Sequence, residues 1–452
     1  MRVSPAVDTS LTPASLALTI RRMAVCVLRV AHGGRDRQHR GRERALAAMG
    51  TDVTLVVPGA WPDEAAEPRL SPEAFHLVEL PVRRAGDVNR HAYFDRATLR
   101  RIIDEARPDV LDIHEEPYSR AARQWLRAAP AELPVVMYSA QNVDKRYPPP
   151  FSAYERSALG RVAAFYPCCS QVASVLRGKG FAGQIEVLPL GYDQTLFWPG
   201  SQAVDSDEIT LLLVGRLVPE KGVEDAVRTL AHLHMIRPTR LVVSGEGPAA
   251  VPARELAASL NVADRIEFRG WQTGPELAAT YRGAHVVLVP SRATARWVEQ
   301  FGRVIVEAQA SGAVVAGYAS GAIPEVAGEA GVLAPTGDAR QLAEGVARVV
   351  RDADEFAWRR ACGQRLAATR TWRSVVARQA ALYQAVLAGE TDPLGLTRSP
   401  RRRRAIARTE FGVTAATVGG VRPFALPLLR RGGAIPHALA TVIDAAAELA
   451  NR

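Results

Sequence analysis

The sequence predicts an α/β protein made of two tandem, doubly wound domains that face a cleft. Three observations predict it. Short β-branched runs alternate with helical stretches from residue 23 onward, a polar break interrupts them near 200, and the alternation then restarts. The 452 residues, 48% hydrophobic and 23% charged, suffice for two or three domains that each bury a core.

The elements follow in order. "MAVCVLRVAHGGRDRQHRGRERALAAMGTDVTLVVP" (23–58) reads strand, glycine loop, helix, strand. "RATLRRIIDEARPDVLDIHEE" repeats helix then strand, with Pro108 closing the helix, and "LPVVMYSAQN" and "IEVLPLGYD" are further buried strands. "GSQAVDSDE" after Pro199 is the linker. "ITLLLVGRL" and "KGVEDAVRTLAHLHMI" open the second cycle, which runs through "TRLVVSGEG", "RIEFRG", "HVVLVPS" and "AVVAGYA" as strands. "DARQLAEGVARVVRDADEFAWRRACG" reads as one long helix, and "TWRSVVARQAALYQAVLAG" as another. The expected division is a loose tail 1–22, a first domain 23–199, a second 200–375, a helix 376–392 packing back toward the first, and a basic extension 393–452. Residues 1–22 read as a tail upstream of a start at Met23, since "SLALTI" is too short for a signal sequence, and no apolar run is long enough for a transmembrane helix.

Charge is uneven. Ten Arg against three acidic residues give 393–452 a net +7, leaving +3 of the total +10 for the rest. Such a tail suits nucleic acid, an anionic membrane surface, or plain solvation as an Arg-rich end. The apolar "FALPLL" between arginines favours the membrane, so the expected place is cytoplasmic, peripheral at the inner face, with no nucleic acid as partner. Cys26, Cys168, Cys169 and Cys362 form no CxxC or Cys/His cluster and read as reduced thiols; no metal site is expected.

Two motifs carry chemistry. In "RWVEQFGRVIVEAQASG" a continuous helix would hold Glu299 and Glu307 about 12 Å apart. Gly302 interrupts instead, placing Glu299 on a loop, with the amides near Phe301, Gly302 and Arg303 at a helix N-terminus that attracts an anion or a sugar hydroxyl. In "LLLVGRLVPEKG", Arg216 offers a fork and Lys221, one of only three lysines, a point charge beside another helix start, a combination that suits a diphosphate. "VVSGEGPAA" approaches a dinucleotide fingerprint, but it follows the second strand of its half, and Pro248 and Pro252 remove amide donors. "HGG" (32–34) is either a ligand-approaching loop or a plain turn, and His114 in "DIHEEPYS" is either a ligand contact or structural. The Asp352/Asp354 pair reads as a solvated helix end.

These motifs in this order resemble the retaining GT-B glycosyltransferases, specifically glycosyltransferase family 4, over roughly residues 23–390. The likeness rests on "GRLVPEKG", "VVSGEGP", "RIEFRGW", "VVLVPS", "EQFGRVIVEAQASGAVVAG" and "GAIPEV", with "DVLDIHEEP" and "VLPLGYDQTLFWP" similar in the first half. The resemblance implies two Rossmann-like domains and transfer of a hexose from a nucleotide-diphosphate sugar to a glycan, lipid-linked or small-molecule acceptor with retained configuration and no metal or other cofactor. It implies that Arg216 and Lys221 hold the diphosphate, Glu307 the ribose and Glu299 the sugar hydroxyls. Amides of Phe301, Gly302, Arg303 and Val304 line sugar and phosphate, Gly33 and Gly34 meet the diphosphate, His114 sits by the reacting carbon, and Gly270 and Trp271 meet the base. Leu190, Ser320 and His285 depart from the family's pattern without striking a phosphate or sugar ligand. A nucleotide-sugar epimerase and a non-catalytic binding protein on the same fold are the alternatives.

Overall fold

The computed structural model describes residues 24–62, 70–201, 208–295 and 297–389, so the tail 1–22 and the extension 393–452 lie outside it. The first lobe runs β1 (Cys26–Val30), α1 (Gly41–Ala48), β2 (Asp52–Pro58), β3 (His76–Leu80), β4 (Val82–Arg83), β5 (Ala92–Tyr93), α2 (Arg96–Ala106), β6 (Val110–Ile113), α3 (Arg120–Ala128), β7 (Val135–Ser139), α4 (Phe151–Arg161), β8 (Ala164–Pro167), α5 (Ser170–Gly178) and β9 (Gln184–Ile185). Its parallel sheet has the order β3-β2-β1-β6-β7-β8-β9, and β4 and β5 form a small antiparallel ribbon. Residues 59–107 carried no readable motif in the sequence, yet they supply β3 and this ribbon.

The second lobe runs β10 (Ile209–Val214), α6 (Val223–His234), β11 (Thr239–Ser244), α7 (Ala250–Ser259), β12 (Ile266–Gly270), α8 (Gly274–Arg282), β13 (Val286–Val289), α9 (Arg303–Ala310), β14 (Val314–Tyr318), α10 (Ile323–Ala327), β15 (Val332–Ala334), α11 (Ala339–Arg351), α12 (Ala353–Ala368) and α13 (Trp372–Leu387). Its sheet has the order β12-β11-β10-β13-β14-β15, with every pairing parallel. Central strands covered by helices on both faces read as unbroken apolar runs, which is why "ITLLLV" and "VVLV" do not alternate. Ile209, Leu211, Leu213, Leu241 and Val243 pack with Val227 and Leu230 of α6 and Leu342 and Val346 of α11.

Two expectations need correction. The long helix expected across 338–363 is two helices: Asp352 leaves the helical region (φ −106°, ψ 103°) and its carboxylate accepts from the amides of Asp354 and Glu355, both at 3.0 Å. Asp352 and Asp354 are both exposed at this helix end, as expected, and Asp352 is the cap. The returning helix starts at Trp372, not 376, because the Thr371 hydroxyl caps it through Ser374 N at 3.1 Å. Its Val375, Val376, Leu382, Tyr383 and Val386 enter the first lobe's core beside Val27, Leu46, Val53 and Val110. The chain thus crosses between lobes twice, and the crossings lie side by side: Tyr192 bridges Thr371, with Tyr192 N bonded to Arg370 O at 3.3 Å.

Both lobes and α13 belong to one compact unit. Leu176–Ala182 groups apart from that unit. Within that segment, Phe181 N donates to Leu176 O at 3.1 Å and Arg177 donates to Phe181 O at 2.8 Å.

Candidate active site

In each sheet the order reverses direction at a central strand, between β1 and β6 and between β10 and β13. Ligands of doubly wound sheets settle outside the carboxyl ends of strands at such switch points. The loops after these four strands carry Gly33 and Gly34, His114, Arg216 with Lys221, and Ser291.

The second lobe's loops are shaped by backbone contact. After β11, Gly245 takes φ +149°, and a Cβ there would fall 1.9 Å from Gly215 O of the β10 loop. The glycines of "SGEGP" therefore seat one loop on the other, which accounts for them without a dinucleotide. Arg216 is exposed beyond Gly215. Lys221 ends a short turn, Pro219–Lys221, and its Nζ lies 2.6 Å from Glu299 Oε2 and 5.2 Å from the Trp297 ring centre. The Ser291 hydroxyl donates to the same Glu299 oxygen at 2.9 Å. Glu299 is buried, so its charge rests on these partners.

Gly302 adopts the left-handed conformation (φ +80°, ψ 66°) and breaks the chain between Glu299 and α9, with no side chain capping the helix start. The first amides of α9 remain available to an anion. Glu307, one turn in, is buried; Tyr281 Oη donates to its Oε2 at 2.9 Å and Arg303 Nε lies 3.4 Å from its Oε1. Burial, reinforced by the Glu307 charge, holds the Tyr281 hydroxyl well above the usual phenol range, so it stays a donor. Gly270 ends β12, and the half-exposed Trp271 bonds through its amide to Glu246 Oε1 at 3.3 Å.

The first lobe builds its share from side chains. His114 follows β6; its ring stacks on Tyr138 (centroids 4.0 Å, 20° between planes) and its Nδ1 lies 3.2 Å from Tyr166 Oη. Burial, then the Arg29 and Arg42 charges, press its pKa well below 6.5, so the imidazole is neutral. Beneath it, the buried Asp112 carboxylate accepts from Arg29, Tyr166, Tyr383 and, at 2.8 Å, Gln379 Nε2. Gln379 and Tyr383 belong to α13, so the returning helix supports His114 through this network.

A cavity of about 410 Å³ joins the lobes, lined by Gly33, Gly34, His114, Arg42 and Trp372 together with Gln300 and Arg303. Of the two glycines, a Cβ on Gly33 would make only an ordinary contact with His39 Nδ1 at 3.8 Å, whereas one on Gly34 would meet Leu55 and Val57 at 3.0 Å. The structure thus brings Gly33, Gly34, His114 and Arg303 to one cavity, and pairs Lys221 with Glu299 and Arg303 with Glu307. Arg216, Lys221, Gly270, Trp271, Glu299, Phe301, Gly302, Val304 and Glu307 lie outside that lining. The lobes also clasp the Glu299 loop directly: Asn142 Nδ2 donates to Glu299 O at 2.9 Å, and Cys168 Sγ to Gln300 O at 3.4 Å. Of the three departures, Leu190 lines the cavity, His285 Nδ1 accepts from Thr210 N at 3.0 Å, and Ser320 is buried.

Sequence reading missed Asn142, Ser291, Tyr281 and the Asp112 network, none of which carries a local signal. It also expected no metal ligands. Among the described residues, His32, His91 and Glu115 nonetheless present ligand atoms all within 4.8 Å of one another. No helix among the described residues is long and apolar enough to cross a membrane.

Two facing doubly wound lobes with loops converging from both switch points define the GT-B architecture. The chain belongs to the family 4 type of glycosyltransferases: residues 43–196 match Glycosyltransferase Family 4 and residues 195–365 match Glycosyl transferases group 1. A D-inositol 3-phosphate glycosyltransferase of Thermobispora bispora is 33% identical over 233 residues, 47% of this chain and 53% of that protein. The chain spans about half the length, or less, of the first curated relatives it matches. D-inositol 3-phosphate glycosyltransferase 1 of Catenulispora acidiphila is 28% identical over 390 residues, 76% of this chain and 89% of that protein. Among solved structures, Anabaena HepE in complex with UDP superposes with a TM-score of 0.63 at 16% identity, covering 80% of this chain and all of that one.

Proposed function

We propose that this protein moves a hexose from a nucleotide-diphosphate sugar to a glycan, lipid-linked or small-molecule hydroxyl acceptor, with retention of configuration. The observation that carries the reading is the Lys221–Glu299 pair at 2.6 Å beside the uncapped start of α9. It sets a cation, a carboxylate and open amides at one switch point. Arg216 and Lys221 hold the diphosphate, the amides of Phe301, Gly302, Arg303 and Val304 line phosphate and sugar, and Glu299 takes sugar hydroxyls. Glu307 takes the ribose, with Tyr281 fixing its carboxylate. Gly270 and Trp271 face the base, and Gly33 and Gly34 close on the diphosphate from the first lobe.

The acceptor oxygen bonds to the anomeric carbon on the face from which the phosphate leaves. The carbon–oxygen bond to the diphosphate breaks with its electron pair going to phosphate, and a phosphate oxygen takes the acceptor's proton. Negative charge grows on the leaving group, where Arg216, Lys221 and the α9 start are already in place, so no metal is assigned there. Neutral His114 donates to or accepts from a sugar hydroxyl without repelling the cationic character of the sugar. The names of the relatives support a polar hydroxylated acceptor, and HepE's complex with UDP supports a nucleoside diphosphate as leaving group. The extension 393–452, outside the described residues, is assigned to an anionic membrane surface at the cytoplasmic face.

The test is release of nucleoside diphosphate with and without acceptor, after a thermal-shift screen identifies the stabilising nucleotide sugar. Acceptor-dependent release that collapses in Lys221→Ala and Glu299→Gln supports the reading. Near-wild-type turnover in both variants removes it, and sugar inversion without release points to an epimerase. Vesicle binding unchanged by truncation at 392 removes the membrane assignment.

A further inference from the structure

We propose that His32, His91 and Glu115 form a divalent transition-metal site, zinc by its donor set, with an open position on the cavity. Three separate segments deliver the residues: the turn after β1, the residue preceding β5, and the loop after β6. His32 Nδ1 lies 2.7 Å from Glu115 Oε2, and His91 Nε2 lies 3.8 Å from Glu115 Oε1. Two ligand atoms on one tetrahedral zinc stand ~3.3 Å apart. The two carboxylate spacings bracket that value, and the ligand atoms, all within 4.8 Å of one another, need to draw together by at most about 1.5 Å around a bound ion.

A second observation concerns the tautomer of His91. The residue is fully buried, and its Nδ1 lies 3.2 Å from the carbonyl oxygen of Asp87, to which only a protonated nitrogen donates. In the neutral imidazole this leaves the lone pair on Nε2, which is buried without a hydrogen-bond partner. A histidine that spends one ring N–H on a backbone carbonyl and aims the other nitrogen at a carboxylate is arranged as metal-binding histidines are. Trp61 contacts both imidazoles, at 4.9 Å from His32 and 5.1 Å from His91, giving the cluster an apolar flank. Two imidazoles and a carboxylate suit zinc and its neighbours rather than magnesium, which prefers an all-oxygen shell. His32 and Glu115 line the 410 Å³ cavity, so the fourth position takes a water or an oxyanion there. The site belongs to the first lobe and leaves leaving-group neutralisation with Arg216 and Lys221; it stands whether or not the proposed transfer does.

The experiment uses the full chain, stripped with chelator and free of donor and acceptor. Zinc and magnesium are titrated separately, with bound metal read by elemental analysis and stability by thermal shift. The expected result is one zinc per chain, a raised Tm with zinc and none with magnesium, and at least tenfold weaker zinc binding in His32→Gln, His91→Gln and Glu115→Gln. His32, the most exposed of the three, keeps the test valid if a buried variant fails to fold. Absence of stoichiometric zinc binding to the wild-type chain overturns the proposal, as does undiminished binding in the folded variants.

Discussion

The two lobes share a topology but build their sites from different material. In the second lobe, backbone does most of the shaping: glycine loops stacked on each other, a left-handed Gly302, and an open helix start, with ion pairs between Lys221 and Glu299 and between Arg303 and Glu307. In the first lobe, His114 stands on side chains drawn from β1, β6, β8 and α13 that converge on Asp112. A backbone site is fixed by residues close in sequence, whereas a side-chain hub depends on the whole lobe having folded. Damage should therefore fall on activity in the second lobe and on stability in the first.

The strongest test is Asp112→Ala. It leaves Arg29 buried with one carboxylate partner, Glu43, and takes from the Tyr166 and Tyr383 hydroxyls the carboxylate they donate to, so stability should fall by about 3–5 kcal/mol in chemical denaturation. If the loss appears only in turnover, the first lobe is not a structural hub. Next come Glu299→Gln and Lys221→Ala. Removing a group that stabilises transition-state charge typically costs about 10²–10³ in rate, and kcat should drop by that factor in both, with the melting curve nearly unchanged in Glu299→Gln, which leaves no buried charge unpaired. Third is Gly245→Ala, whose Cβ has no room beside Gly215 O; strain of about 1–3 kcal/mol should lower Tm and weaken nucleotide binding together.

The smallest effect concerns pH. The imidazole of His114 is held below 6.5 in the fold, so below pH ~6.5 the unfolded chain binds a proton that the folded chain does not. Its contribution is present above that pH and is lost as pH falls, at up to about 1.4 kcal/mol per pH unit. The difference in stability between wild type and His114→Gln should narrow from pH 7 to pH 5.5.

The same contrast explains what the sequence made legible. The central strands of both sheets were readable because parallel strands covered on both faces are continuous apolar runs between turn signals, whereas β3, β8 and β15 were not read and the strand expected over "IEVLPLGYD" is only the two-residue, half-buried β9. The break at Gly302 was readable because the residue interrupts a helical pattern, and the Arg216–Lys221 loop because its cations sit within a few residues of a strand end. Asp112 looked like any acid in "DVLDIHEE"; its role depends on Gln379 and Tyr383, more than 260 residues on. The cap at Asp352 was hidden because apolar spacing continues on both sides of it, so a helix break left the period undisturbed. His91 gave no signal because its partners come from two other loops.

The bridge between Tyr192 and Thr371 places the two points where the second lobe joins the rest of the chain next to each other. A module whose ends meet is an insertion in the topological sense, and such modules tolerate excision and transplantation. Residues 193–371 should thus be separable as a self-standing folded unit, while the first lobe, deprived of α13 by any simple truncation, should not.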